Sequence, residues 1–417
     1  MELHESGVGR PEEKRDIPAI RRHGTPSEVF RVFLKLGLTS FGGPVAHLGY
    51  FRDELVVRRG WIDEAAYADL VALCQFLPGP ASSQVGYSLG LLRGGPLGAL
   101  AAWSAFTLPS AALLALFAIE VAAFQNPIGA GLIHGLKLVA VAVVAQAVWG
   151  MARSLAPDRP RASIALASIL IVVFAAGPGG QIAAILAGGV VGLRLCRGAV
   201  SAPVSRLAFP VSRTAGLASL ALFFLLLAGL PLATVTTGAA SVGLFDAFYR
   251  AGALVFGGGH VVLPLLDAAV VRPGRITPEA FLAGYGAAQA MPGPLFTFAA
   301  FLGTVLKPEP NGLVGATICL VAIFLPGLLI VTGALPFWTS LRSRPMAQAA
   351  MRGTNAAVVG ILAAALYEPV WTSAVLNSRD FAVALVGFVL LTVWKVPPWA
   401  VVLLTVMASS AVAAAYR

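Results

Sequence analysis

Two short motifs, each present twice, carry the chemistry open to this chain. Gly42-Gly43-Pro44 and Pro78-Gly79-Pro80 interrupt apolar stretches near the start, and Gly257-Gly258-Gly259 and Pro292-Gly293-Pro294 do so further on. Proline removes a backbone donor and clashes with the preceding turn, so each interruption ends one helix and opens another. The first N–H groups of the new helix have no partner, and its dipole is positive there. Such an end binds an anion without a dedicated side chain. The preceding half-helices end negative, so the sign of the site depends on which ends converge. Ser82 and Ser83 follow one break and Thr297 another, adding hydroxyls. Gln75 and Gln289 precede the two Pro-Gly-Pro motifs at matched positions, able to donate to an oxyanion or to cap the break. Kinks that only help helices pack are the competing reading.

Lys35 and Arg250 each stand six residues before a Phe-Gly-Gly. A charge within a membrane segment is a functional hypothesis by default, and two repeat-related cations suit a dianion. Snorkelling along the side chain's own stem is the alternative. Lys137 matches Asn355 more weakly. His47 and His260 follow their glycine breaks at non-equivalent positions, and either could carry a proton near neutral pH. Of the carboxylates, Glu120 and Glu368 fall near span ends and Asp69 near the start of a broken segment, so no acidic relay is visible. Three separated cysteines, Cys74, Cys196 and Cys319, offer no metal site or disulfide framework. Gly131 to Lys137 lacks the spacing of a nucleotide-binding loop. No cofactor, metal or enzymatic activity is expected.

The elements that position these residues must be membrane helices. The chain has 417 residues, 58% hydrophobic and 12% charged, too few charges to cover a soluble protein of this size. Residues 96–122, 129–152, 214–233, 312–335, 354–367 and 381–394 are nearly free of charge, and about 20 apolar residues span a bilayer as a helix. The formal charge of +10 is scattered between these runs, so lipid rather than nucleic acid is the expected partner.

The motifs also reveal a duplication. Phe41-Gly-Gly matches Phe256-Gly-Gly, and Gln75 to Pro80 matches Gln289 to Pro294. Phe106 to Pro109 then faces Phe324 to Pro326, in the same order with little drift. The expected organisation is a disordered cytoplasmic tail (1–28), a first repeat (29–197), a linker with one transmembrane helix (198–243) and a second repeat (244–417). In each half, two broken segments enter the membrane and return to the same side before four full spans follow. The extra span flips the second half, an inverted-repeat architecture of transporters. This arrangement puts twenty of the 29 Lys and Arg on the cytoplasmic side and five outside, in line with the positive-inside rule. The fold class is an all-α polytopic membrane protein with two inverted-topology repeats and Gly/Pro-broken half-helices. The chain is expected in the inner membrane with its N-terminus cytoplasmic, and a homodimer is among the assemblies the sequence allows.

The stretch Phe33 to Leu48, Gly60-Trp61 and Gln75 to Pro80, with the second Phe256-Gly-Gly-Gly-His260 and Pro292 to Pro294 blocks, resembles the chromate transporter family over nearly the whole chain beyond the tail. The resemblance implies a bacterial inner-membrane carrier that exports chromate, driven by the proton motive force. Sulfate is the look-alike dianion, and uptake of sulfate or a passive anion channel are the alternatives. Gly259-His260 stands where the first half has Pro44-Val45, and no histidine falls opposite His47, so a symmetrical role for the histidines is not implied.

Overall fold

The computed structural model describes residues 24–123, 127–175, 178–197, 209–256, 259–338 and 344–415, and every regular element among them is helical. The expected tail, apart from residues 24–28, lies outside the described residues.

The first half opens with two helical hairpins. Helix α1 (Pro26–Thr39) starts where the Thr25 side chain accepts from Glu28 N–H, with Pro26 in the first turn. It ends before Gly42, whose φ of 101° only glycine adopts cheaply. Helix α2 (Gly43–Phe51) and a π-turn, Arg52–Arg58, lead back. The arms run side by side: the rings of Phe33 and Phe51 are 5.5 Å apart, and Lys35 Nζ lies 3.3 Å from Glu54 Oε2. Helix α3 (Glu64–Phe76) descends to the Pro-Gly-Pro break. Helix α4 (Ala81–Ala123) climbs away and turns at Gly94 and Gly95 before continuing as a full span. Arg93, at that turn, lies over the ring of Trp61 at 5.3 Å and accepts at its carbonyl from Gly24 N–H at 3.0 Å. The outer ends of both hairpins therefore meet on one face. The 14 residues of α1 span about 21 Å, less than the roughly 30 Å of hydrocarbon in a bilayer.

Helices α5 (Pro127–Leu155), α6 (Arg159–Phe174) and α7 (Pro178–Leu195) complete the first half. Helix α8 (Arg213–Thr237) stands at the edge, burying only Gly216 and Phe223. The second half repeats the order: α9 (Ala240–Ala253), α10 (Val262–Leu266) between a 3₁₀ and a π turn, α11 (Pro278–Ala290), α12 (Phe298–Val305), α13 (Gly312–Ala334), α14 (Pro345–Ala365), α15 (Ser378–Thr392) and α16 (Pro398–Ala415). Its second hairpin closes where Lys307 N–H donates to Arg275 O at 3.0 Å. Five helices among the described residues are long and apolar enough to cross a membrane.

The halves exchange their later helices. Helix α5 packs on α15 and α16 of the opposite half, and α14 packs on α6 and α7. Glycine makes these approaches possible: a methyl group on Gly135 would stand 2.7 Å from Val406 Cα, and one on Gly192 would stand 2.6 Å from Ala349 O. Small residues permit such close contact in membranes, where packing rather than water drives helix association.

Candidate functional site

The helix breaks of the two halves meet. Gly79 N–H donates to Val255 O at 2.7 Å, and Gly293 N–H donates to Ser40 O at 2.9 Å. Ser40 and Val255 hold matched positions just before the two Phe-Gly-Gly motifs, so each Pro-Gly-Pro is pinned to the glycine break of the opposite half. Space is short at the junction. A methyl group on Gly79 would lie 2.9 Å from Gly327 Cα, one on Gly293 2.8 Å from Ser110 Oγ, and one on Gly259 3.3 Å from Pro44 Cγ. Gly79 and Gly293 also hold φ of 120° and 98°. Pro78, Pro80, Pro292 and Pro294 are buried, while Pro44 is half-buried. Gly43 is half-buried and Gly42 exposed. Gly257 and Gly258 lie outside the described residues.

Side chains around this junction are polar and short of partners. Ser82 and Ser83 are buried, and His47 Nδ1 lies 3.5 Å from Ser82 Oγ. Ser40 Oγ, His47 Nε2, Ser83 Oγ, Ser88 Oγ and Thr107 Oγ1 are enclosed with no partner in the protein. A buried polar atom left unpaired costs about 1–3 kcal/mol, so this many suit a chamber that takes a polar guest. In the second half the chemistry differs. Thr297 donates to Pro294 O at 2.7 Å and caps its own break, and His260 Nδ1 lies 2.6 Å from Tyr285 Oη. Gln75 is exposed, whereas Gln289 Nε2 is enclosed and unpaired.

The two repeat-related cations are already engaged. Lys35 shares the buried carboxylate of Glu54 with Arg58 at 2.6 Å and Arg59 at 2.9 Å. Arg250 holds Asp246 at 2.6 Å. The structure thus corrects the impression that the interior lacks acids: Glu54, Asp246, Asp267 and Asp380 are all buried. Asp267 faces Arg272 at 3.6 Å, and Asp380 faces His134 at 2.7 Å. Two pairs were readable as spacing, since Glu54 to Arg58 and Asp246 to Arg250 are four apart on one helix face. Gln84 was also missed. Its Nε2 donates to Pro78 O and Gly327 O, each at 2.9 Å, stapling one half's break to the other half's α13. Among the described residues no group of three His, Cys, Asp or Glu could hold a metal.

The model of the family described as Chromate transporter matches residues 27–193 and again residues 242–410. A chromate transport protein of Pseudomonas aeruginosa is 30% identical over 348 residues, covering 81% of this chain and 79% of its own. One from Cupriavidus metallidurans is 27% identical over 82% of this chain and 83% of its own. An uncharacterized transporter of Methanocaldococcus jannaschii is 24% identical over 84% and 86%. No solved structure matches the chain.

Proposed function

The chain belongs to the chromate transporter family, and on that premise we propose that it is a secondary carrier which moves chromate out of the cell. The observation that carries this is the reciprocal pinning of Gly79 to Val255 and Gly293 to Ser40. It brings broken helices of both inverted halves to one polar junction, the usual place of a transporter's substrate site. A tetrahedral dianion would be held by free N–H groups at the starts of α2 and α4, with the Ser82 and Ser83 hydroxyls beside them. Gly42 and Gly43 would let it approach the backbone, and Gln289 would contribute its unpaired amide. Lys35 and Arg250 would act as attracting charges whose acid partners hold them in place. Transport would be coupled to protons, with His47 and His260 as carriers. The N-terminus and the outer ends of the first two hairpins would face the cytoplasm. The relatives are named as transport proteins, which favours a transporter over an enzyme.

Helix α3 buries one stripe, Ala66, Tyr67, Leu70, Leu73 and Cys74. Its counterpart α11 is buried continuously from Phe281 to Ala288, packed on α5 and α16. Helix α11 is enclosed by the rest of the protein, while α3 leaves Ala68, Ala72 and Gln75 uncovered. This one-sided closure supports a carrier that alternates over a channel open at both ends. The test is chromate against sulfate flux in proteoliposomes, with and without a pH gradient. Saturable chromate movement that exchanges substrate and responds to the gradient is expected. Unsaturable current, or sulfate flux with no chromate flux, would overturn it.

A further inference from the structure

The buried charges of this protein nearly cancel, with one left over. The buried carboxylates Glu54, Asp246, Asp267 and Asp380 each have a basic side chain within 4 Å. Lys137, on α5, is the only lysine or arginine buried among the described residues, at 6% exposure. It makes no hydrogen bond or ion pair there. The carboxylates that act on it from further away are Glu279 and Asp380. Glu279 is exposed, and Asp380 is taken by His134, Leu376 N–H and Asn377.

Snorkelling does not account for this residue. Lys137 stands ten residues into α5, about 15 Å along the helix. The apolar span begins at Gly131, so Lys137 lies about 9 Å inside it, with its side chain packed into the protein rather than laid out along an exposed face. A charge within an apolar span is costly unless it is paired, and no hydrogen bond or ion pair among the described residues reaches this one. The neighbourhood is polar and unfinished. The carbonyl of Leu136, next in the chain, touches Gly286 of α11. One turn on from Gly286 is Gln289, whose Nε2 is enclosed without a partner, and α11 then runs into the Pro292-Gly293-Pro294 break. At the matched position of the other half, Asn355 keeps an enclosed, unpaired Oδ1.

We infer that Lys137 is the counter-charge of the transported oxyanion, a substrate-positioning ammonium on α5, where that helix packs against α11. The inference rests on the oxyanion reading above and adds the residue that fixes the anion against one half. A vacant Lys137 destabilises the empty carrier, and an arriving dianion supplies the missing charge. Only one half carries the cation, so the anion is held off the pseudo-axis.

The experiment uses the purified full-length protein, with chromate as the probe, read by thermal melting and by uptake into proteoliposomes. Lys137→Met should melt higher than wild type without ligand, since a buried charge is gone, and should lose the chromate-dependent rise in Tm. Its KM for chromate should rise by about tenfold or more, in keeping with the loss of a charge-assisted contact. Lys137→Arg keeps the charge, and its KM should stay within about threefold. A Lys137→Met protein that keeps the wild-type KM and ligand shift overturns the inference. So does one that melts lower than wild type, because the ammonium would then serve the fold. If wild type itself neither binds nor moves chromate, sulfate or molybdate, the oxyanion reading has failed instead, and the ligand-free melting comparison still judges whether Lys137 is an unmatched charge.

Discussion

The two hairpin pairs descend from one duplicated unit, yet they are finished differently. In the second half α11 is enclosed, Thr297 caps its own break, and Arg250 is balanced by one aspartate. In the first half α3 presents Ala68, Ala72 and Gln75 outward, Ser83 has no partner, and one carboxylate is shared by three cations. The mouth of the first hairpin pair therefore sets three cations around one carboxylate, while the second matches its cation with one aspartate. Matched sequence blocks fix where chains break. What surrounds each break is set by which helix of the opposite half is docked against it.

The sharpest way to break this comparison is at the docked contact. Gly286→Val would drive a side chain into the Leu136 carbonyl, an overpacking cost of about 1–3 kcal/mol. It should lower Tm clearly and abolish transport, whereas Ala72→Val at the matched, exposed position should leave Tm nearly unchanged. Equal losses of Tm would mean both helices are docked in solution. A second test traps the opposite arrangement. If α3 docks when α11 releases, Ala72→Cys and Thr354→Cys, counterparts of Gly286 and Leu136, should form a disulfide during turnover and stop transport. A pair that never crosslinks counts against alternation. Third, Glu54→Gln should slow uptake several-fold by letting the hairpin arms splay, while Asp246→Asn should be felt mainly in Tm. The reverse pattern, read by the same two assays, would assign the attracting charge to the second mouth. The smallest effect is expected at the hydroxyls. Ser83→Ala should raise the KM for chromate by a few-fold without lowering Tm, and Thr297→Ala should lower Tm by the worth of one hydrogen bond, about 1 kcal/mol, with KM unchanged.

Much of the architecture was legible because glycine and proline leave a local mark. The breaks at Gly42 and Pro78 and their copies follow from backbone sterics alone, and so does the repeat. In the first half the broken segments fold back into hairpins, and Arg93 lies over Trp61 where their ends meet. The ion pairs were harder to see. Glu54 sits in the charged turn Arg52–Arg58 and Asp246 inside the apolar helix α9, and composition does not tell that either is buried. The exchange of late helices was not legible at all. Gln146 Nε2 reaches Leu391 O across 245 residues, a contact between two helices whose own sequences would suit many neighbours. Gln84 failed for a related reason: its acceptor in α13 is 243 residues away.

That exchange bears on how the protein is made. Helix α5 reaches the bilayer with its eventual neighbours still untranslated. At about 5–20 residues per second, the 245 residues to Leu391 take roughly 12–50 seconds to emerge. Throughout that wait the nascent span must be sheltered by the insertion machinery or by provisional contacts, with Lys137 already inside the membrane. Assembly of this protein is thus a late, whole-chain event, and a ribosome that stops short of α15 leaves behind a half that has nothing to close on.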